Sequence, residues 1–225
     1  MDKLDKTRAH VAYIGNLLFQ RHLLDLAGGN ISARVDDLLC ISPRFSGPLH
    51  HWDLRPEEVM VVRLDGSIVE GNGQLSRESK VHLRLHSEFG AYGTGVIHAH
   101  SRNIMVFASM AKPIPPVMEA TRKFGTVPVV SYATAHSADL SENIAGGIRG
   151  NEQRINKHAA AVLAPYHGLF LMGKDLDAAA DAVERIDTNC YCMLMGHLLG
   201  ASENFSIERE QMEADIQAFE EHQNA

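Results

Sequence analysis

The chain has 225 residues, 45% hydrophobic and 22% charged, a balance typical of one soluble globular domain with a sizeable core, here expected over residues 1–225. Its formal net charge of −7 gives no electrostatic reason to expect nucleic acid or an anionic membrane as a partner. There is no apolar run of about 18 residues, which argues against a transmembrane helix, and the N-terminus lacks an apolar signal region, which favours a cytoplasmic location.

Apolar periodicity predicts alternating helices and short strands, with no linker-like, repetitive or low-complexity segment. The first 26 residues favour an amphipathic helix, because their apolar residues recur at helical spacing, and Gly28-Gly29 is expected to end it. Asp65-Gly66 is typical of a tight hairpin turn. The strands predicted in this half are 31–35, 38–42, 59–64 and 67–70, and a helix follows at about 76–92.

The second half continues the alternation of strands and helices. Its first strand ends at His98-Ala99-His100. The later strands are predicted at 127–132, 160–164 and 169–172, and the helices at about 103–110, 140–149 and 175–199. Hairpins covered by helices indicate the α/β class, and we expect a three-layer α/β/α sandwich with a central, mostly antiparallel sheet.

A pair of histidines marks the end of the strand that precedes the 103–110 helix. Side chains repeat every two residues along a strand, so His98 and His100 project from one face and form half of a divalent metal site. With 13 histidines in the chain, a chance pair of buried histidines is the plainer interpretation. The place at a strand end, just before a polar helix start, favours a ligand site. A catalytic zinc takes three protein ligands and keeps one position open.

Spacing alone does not identify the third ligand. His82, His86, His136 and His167 all remain open on that criterion. His167 differs from the others in standing between two apolar strands, followed by Gly168, which lets the backbone turn tightly.

Six short motifs occur in an order that resembles the class II aldolase/adducin family, from about residue 5 to residue 200. The family includes fuculose-phosphate-type aldolases and ribulose-phosphate 4-epimerases. The motifs are Gly29-Asn30-Ile31-Ser32-Ala33-Arg34, Ile41-Ser42-Pro43, Ser76-Arg77-Glu78, His98-Ala99-His100, Tyr132-Ala133-Thr134 and His167-Gly168-Leu169.

The resemblance implies a metal enzyme. It makes His98, His100 and His167 the ligands of Zn²⁺, with Mn²⁺, Co²⁺ or Fe²⁺ as alternatives. It also makes Glu78 a carboxylate that binds the metal in the empty site and acts as acid/base when substrate displaces it. The plainer role of Glu78 is that of a first-turn glutamate stabilised by the helix dipole, with Ser76 as the helix cap.

The resemblance also implies a phosphate site without a Walker-type loop. It would be built from Asn30, Ser42 and Ser76, with backbone N–H groups near Gly47. Arg77 departs from the family's second serine, and arginine binds phosphate or carboxylate through two hydrogen bonds, so the anion is held differently or is a carboxylate. The segment 43–52 is longer than the usual family loop and is expected to reshape the pocket.

A further departure concerns the second acid/base group. Residues 117–122 carry neither the tyrosine of the aldolases nor the aspartate of the epimerases, and Glu119 is the nearest substitute. The tail, 201–225, also lacks the tyrosine that the aldolase tail offers to a neighbouring site. The resemblance implies a homotetramer with sites at subunit boundaries, where Tyr132 or Tyr166 of a neighbour could supply the missing hydroxyl.

We therefore expect a zinc-dependent aldolase that cleaves a ketose 1-phosphate to dihydroxyacetone phosphate and an aldehyde through a metal-stabilised enediolate. The alternatives at the same metal site are decarboxylation, dehydration or 4-epimerisation of a sugar phosphate or keto acid. A third alternative is a non-enzymatic adducin-like module, which the presence of all three histidines disfavours.

Overall fold

A computed structural model describes residues 2–200 and 207–223. Its centre is an open sheet of seven strands in the order β4-β3-β2-β1-β5-β7-β6, and each pair of neighbours is antiparallel. The strands are β1 Asn30–Val35, β2 Leu38–Ile41, β3 Met60–Arg63, β4 Ile68–Glu70, β5 Gly95–Ala99, β6 Ala159–Ala164 and β7 Gly168–Gly173.

Helices cover both faces of the sheet. They are α1 Lys3–Gln20, α2 Ser46–His50, α3 Ser79–Phe89, α4 Arg102–Ser109, α5 Ala138–Ile148, α6 Glu152–Lys157, α7 Leu176–Leu198 and α8 Ile207–Gln223, with short 3-10 helices at Pro56–Glu58 and Glu119–Phe124. Helices α1, α4 and α7 pack on one face, and α3, α5 and α6 on the other. The predicted α/β/α sandwich is confirmed. Within the described ranges no helix is both long and apolar enough to cross a membrane.

Because side chains alternate along β5, this strand contributes to two hydrophobic cores, one on each face of the sheet. Ile97 and Ala99 belong to the core under α1, α4 and α7, whereas Val96 belongs to the core under α3 and α5. His98 therefore points toward the α3 side. The register sets Asn30 of β1 and Phe170 of β7 directly beside His98, so these three side chains form one row across the middle of the sheet.

The predicted end of the first helix was wrong. Helix α1 ends at Gln20, because His22 adopts a left-handed conformation (φ 59°) and the Leu23 N–H bonds back to the Leu18 carbonyl at 2.9 Å. Gly28-Gly29 does not end the helix. The loop that precedes β1 instead wraps over the end of β5, where Gly28 contacts the His100 ring.

The predicted strand at 127–132 was also wrong. This segment makes only isolated bridges, from Val127 to Ile114 and from Val129 to Leu163. The Val130 N–H and the Pro128 carbonyl both bond to Leu163, but Pro128 has no N–H to give to a continuous ladder. The segment runs beside edge strand β6 without joining the sheet.

Candidate active site

Three histidines from two neighbouring strands converge at one end of the sheet. His98 lies in β5, His100 follows the end of that strand, and His167 lies in the turn between β6 and β7. Because β5 pairs with β7, the turn meets the end of β5. One nitrogen of each ring lies within 4.8 Å of the other two.

His98 is the most firmly held of the three. It is buried, stacks on Phe170 with ring centroids 3.9 Å apart, and donates its Nδ1 hydrogen to the Leu169 carbonyl at 2.8 Å. The donation leaves the Nε2 lone pair free, 3.1 Å from Nε2 of His100. Burial, followed by the two neighbouring imidazoles, holds the pKa of His98 well below its ordinary value, so the ring is neutral and can act as a ligand.

Two glycines leave space for the histidine rings. A Cβ on Gly28 would lie 1.9 Å from Nδ1 of His100, and one on Gly168 would lie 2.8 Å from the ring of His100 and 3.1 Å from that of His98. A glycine is therefore needed at position 168 because the His98 and His100 rings approach its backbone closely, and not because the turn requires one. The left-handed residue of that turn is Tyr166 (φ 61°).

Asp25 is a further partner of the histidine group. Its Oδ2 lies 3.6 Å from Nδ1 of His100, and its Oδ1 accepts the N–H groups of Ala27 at 2.8 Å and Gly28 at 2.5 Å. Burial works to raise the pKa of Asp25, but the His100 ring and the two backbone N–H groups outweigh it and hold that pKa below its ordinary value. A carboxylate behind a ligating histidine is the usual support of such a ligand.

The group fits one divalent metal ion. A tetrahedral zinc with Zn–N bonds of about 2.0–2.1 Å separates its ligand nitrogens by roughly 3.3 Å, close to the 3.1 Å between the Nε2 atoms of His98 and His100. His167 has a buried Nδ1 with no hydrogen-bond partner in the described part of the chain. Burial also lowers the pKa of His167, against the opposing effect of Glu78, which favours the neutral ligand form.

Glu78 immediately precedes α3 and presents its two oxygens to different partners. Its Oε2 accepts from Asn30 Nδ2 at 3.0 Å and from the Ser76 hydroxyl at 3.2 Å. Its Oε1 lies 3.3 Å from Nδ1 of His136 and 3.8 Å from Nε2 of His167. Oε2 is thus fixed, and Oε1 is the oxygen that faces His167.

Ser76 does not cap α3, contrary to the sequence-based expectation. The N-cap position is Glu78, and the Ser76 hydroxyl accepts the backbone N–H of Glu78 at 3.3 Å and a hydrogen of Asn30 Nδ2 at 2.9 Å. The serine therefore positions the carboxylate and not the helix.

A buried chain of hydrogen bonds supports Asn30 from behind. Because Asn30 Nδ2 donates to Glu78, its Oδ1 is an acceptor and takes the Nε2 hydrogen of His82. His82 Nδ1 then accepts from the Ser32 hydroxyl at 2.7 Å, and Ser32 accepts from His86 Nε2 at 2.8 Å. Burial lowers the pKa of His82 to about 3 and that of His86 well below its ordinary value, so both rings are neutral and structural.

A cavity of about 280 Å³ adjoins Glu78. Part of its wall comes from the 43–52 segment, which forms α2 and is fixed by the Trp52 Nε1 hydrogen bond to the Asp25 carbonyl at 3.0 Å. Its lining includes the polar or charged side chains of Arg44, Ser76, Arg77, Glu78 and His136, together with Gly47. The three converging histidines are not part of this lining, and Glu78 joins the two regions through its contact with His167.

Some predicted site residues lie elsewhere. Ser42 is buried and its hydroxyl accepts the Ile31 N–H at 3.0 Å, outside the cavity lining. Asn30 is also buried and contacts Glu78 rather than lining the cavity. Glu119 is an exposed residue that opens a 3-10 helix packed on α7, and it does not line the cavity. The sequence reasoning gave no role to Asp25 or Arg44.

A family model described as "Class II Aldolase and Adducin N-terminal domain" matches residues 9–194. The chain therefore belongs to the class II aldolase/adducin family. It is similar to a 5-deoxy-D-ribulose 1-phosphate aldolase of Bacillus thuringiensis, 29% identical over 82% of each chain. It is also similar to a 3-oxo-tetronate 4-phosphate decarboxylase of Pectobacterium atrosepticum, 26% identical over 81% of each chain.

A solved structure has the same fold as this chain. A solved structure of an L-fuculose 1-phosphate aldolase superposes with a TM-score of 0.79 at 24% identity and covers 96% of both chains. This likeness concerns the fold alone. The family, the class II aldolase fold and the general resemblance expected from the motifs are thus confirmed, while the named relatives differ in reaction.

Proposed function

We propose that the chain is a zinc-dependent aldolase that cleaves a ketose 1-phosphate to dihydroxyacetone phosphate and an aldehyde. The observation that carries the proposal is the convergence of His98, His100 and His167 beside the fixed carboxylate of Glu78. The relative named as a 5-deoxy-D-ribulose 1-phosphate aldolase supports the ketose 1-phosphate class. The same geometry is suitable for Mn²⁺, Co²⁺ or Fe²⁺, since these ions also accept imidazole ligands.

A bound divalent ion supplies Lewis-acid polarisation of the substrate carbonyl and stabilises the negative charge that develops as the carbon–carbon bond breaks. The chain's own residues bind the substrate and move protons. Oε1 of Glu78 is the atom placed to move a proton at carbon, because Oε2 is occupied by Asn30 and Ser76. Gly47, Ser76 and Arg77 line the cavity where the phosphate would bind.

The test is incubation of the zinc-loaded protein with 5-deoxy-ribulose- and fuculose-type ketose 1-phosphates, followed by assay for dihydroxyacetone phosphate. We expect product from at least one of them, and Glu78→Gln should lower turnover by about 10²–10⁴-fold while metal content is kept. Absence of product from every ketose 1-phosphate, with zinc bound, would contradict the aldolase assignment.

Decarboxylation is the second proposed function. Arg44 and Arg77 both line the cavity, and neither has an ion pair with a carboxylate in the described part of the chain. Two such guanidinium groups favour a substrate that carries a carboxylate as well as a phosphate. The relative named as a 3-oxo-tetronate 4-phosphate decarboxylase supports this reaction. Release of CO₂ from phosphorylated keto acids, without formation of dihydroxyacetone phosphate, would select it.

We also propose a homotetramer with sites at subunit boundaries. Tyr132 and Tyr166 lie 6.1 Å apart as ring centroids and are 63% and 67% exposed, as expected of residues that contact a second copy. Val106 of α4 and Met110, which directly follows that helix, add exposed apolar surface. Light scattering should give about 100 kDa, four times the 24.8 kDa of one chain. An active species of one-chain mass would contradict both the assembly and the shared site.

A further inference from the structure

His136 has a rarely adopted backbone conformation, and its ring lies between Arg77 and Glu78. Its φ of 74° lies in the left-handed region, which non-glycine residues rarely occupy. It directly precedes Ser137, whose hydroxyl caps α5 by accepting the Leu140 N–H at 3.0 Å. The ring lines the cavity beside Glu78 and Arg77. Strained residues held by a fixed neighbour are concentrated at functional sites.

The hydrogen bond from Arg77 fixes which ring nitrogen of His136 carries the hydrogen. Arg77 has only donors, so at 3.3 Å its Nη1 donates to Nε2 of the imidazole, which is the acceptor nitrogen. The hydrogen of the ring is then on Nδ1, which lies 3.3 Å from Oε1 of Glu78. Nε2 is thus a basic nitrogen at the cavity, and Nδ1 is linked to the carboxylate.

Cleavage of a ketose 1-phosphate needs two proton movements at different atoms. The hydroxyl on the carbon that becomes the aldehyde must lose its proton, and the carbon left behind must gain one. Oε2 of Glu78 already accepts hydrogen bonds from Asn30 and Ser76, so a proton that Glu78 moves to carbon passes through Oε1. The ring nitrogen of His136 that carries a hydrogen lies beside Oε1, where it can pass on the proton that the substrate hydroxyl loses.

We infer that His136 is a catalytic residue that carries this proton, an inference that rests on the proposed aldolase function. The substrate hydroxyl takes the place of Arg77 at Nε2 and gives its proton there, while the Nδ1 proton passes to Oε1 of Glu78. The C3–C4 bond breaks, C4 becomes the aldehyde carbon, and the bond's electron pair forms the enediolate. Glu78 then protonates C3, which completes dihydroxyacetone phosphate and returns Glu78 to a carboxylate. The imidazole is left with its hydrogen on Nε2 and regains the starting tautomer by proton exchange with water.

The test compares complete retro-aldol cleavage with proton exchange at C3 of dihydroxyacetone phosphate, which needs Glu78 but no cleavage of a carbon–carbon bond. His136→Asn tolerates the left-handed backbone and keeps an N–H donor for Glu78 but has no second basic nitrogen, and His136→Gly removes ring and strain together. Retro-aldol turnover is measured with the zinc-loaded protein. The exchange of the C3 hydrogen of dihydroxyacetone phosphate with D₂O, without aldehyde, is followed by NMR. His22→Asn is the matched control, because His22 is an exposed histidine with φ 59° outside the cavity lining.

We expect both His136 variants to lose about 10²–10⁴-fold in kcat for cleavage with little change in KM, while exchange stays within about tenfold of wild type, because Glu78 alone can exchange its proton with water. Normal cleavage by His136→Asn would overturn the inference. So would an equal loss of cleavage and exchange, which indicates positioning of Glu78, or a rise in KM alone, which indicates anion binding. Absence of both reactions in the wild type would instead overturn the proposed function.

Discussion

The three converging histidines differ in what holds each ring. His98 has a backbone carbonyl and a stacked phenylalanine behind it, and His100 has the Asp25 carboxylate. His167 has a buried Nδ1 without a partner in the described residues. Metal binding would therefore stabilise the ring orientation of His167 more than that of His98 or His100, because the protein itself holds this ring least.

Alanine substitutions should separate metal binding from folding. His167→Ala is expected to lose bound metal with little change in the unfolding free energy of the metal-stripped protein. His98→Ala should lose metal and also about 2–4 kcal/mol of stability, because it removes a buried stacked ring. Metal analysis and urea unfolding measure the two effects, with exposed His197→Ala as the control. Full metal content in either variant would refute the ligand assignment.

Gly28→Ala tests the space reserved for the His100 ring. The new Cβ would lie 1.9 Å from Nδ1, so the ring must move away from Asp25 and from His98. We expect zinc affinity, measured against a competing chelator, to fall by about 10–100-fold. The control is Gly146→Ala in α5, where the nearest atom would be 3.7 Å away. Unchanged affinity in Gly28→Ala would mean that His100 is not a ligand.

At the scale of elements, α3 and β1 together form the support of the carboxylate. Glu78, His82 and His86 recur every four residues and so share one side of the helix. Asn30 and Ser32 lie on the face of β1 turned to it. The helix and strand are therefore joined by hydrogen bonds as well as by apolar packing.

Removal of the central hydroxyl should destabilise this junction. Ser32→Ala leaves His82 Nδ1 and the His86 Nε2 hydrogen without partners in a buried place, at a cost of about 1–3 kcal/mol for each unsatisfied group. The expected loss in the free energy of unfolding by urea is about 2–4 kcal/mol. Ser141→Ala, which removes an exposed hydroxyl bonded within its own helix, should change stability little. Equal stability of the two variants would contradict the argument.

Most element types were predictable from periodicity, but the end of α1 and the irregular structure of the 127–132 segment were not. The end of α1 depends on His22 in a left-handed conformation, which no glycine or proline marks in the sequence. The 127–132 segment has the apolar content of a strand, but its pairing is limited by Pro128 and by its place beside an edge. In both places a backbone detail outweighs the apolar pattern.

The candidate site was predictable where a motif fixes spacing. His98 and His100 follow from the two-residue repeat of a strand, and the resemblance adds His167 and Glu78. Their roles stay predictions, although the structure brings all four together. The contact between His136 and Glu78 spans 58 residues, so no local pattern could reveal it. His82 and His86 share the spacing of Glu78 along α3, a signal that was available and points to support rather than ligation.

For the whole molecule, the buried histidines predict acid sensitivity. Unfolded histidines bind protons below about pH 6.5, whereas burial lowers the pKa of native His82 to about 3 and that of His86 well below normal. The unfolded state therefore binds more protons below pH 6.5, and stability falls as pH drops, by up to about 1.4 kcal/mol per pH unit for each ring.

Urea unfolding of metal-stripped protein at pH 7 and pH 5 measures this loss. The exposed His197→Gln should show the same pH dependence as the wild type. An unfolding free energy that does not change between the two pH values would show that the buried rings can take up protons in the native fold.

The sheet order has a consequence for the time course of folding. The middle of the sheet joins distant parts of the chain, because β1 pairs with β5 and β5 with β7, and 71 residues separate His98 from Leu169. Contacts of such long range make folding slow, because large loops must close before these contacts form. The unfolded chain holds no preformed ligand set, so metal cannot guide the early collapse. Zinc should leave the refolding rate unchanged and slow only unfolding, which stopped-flow kinetics with and without the ion would resolve.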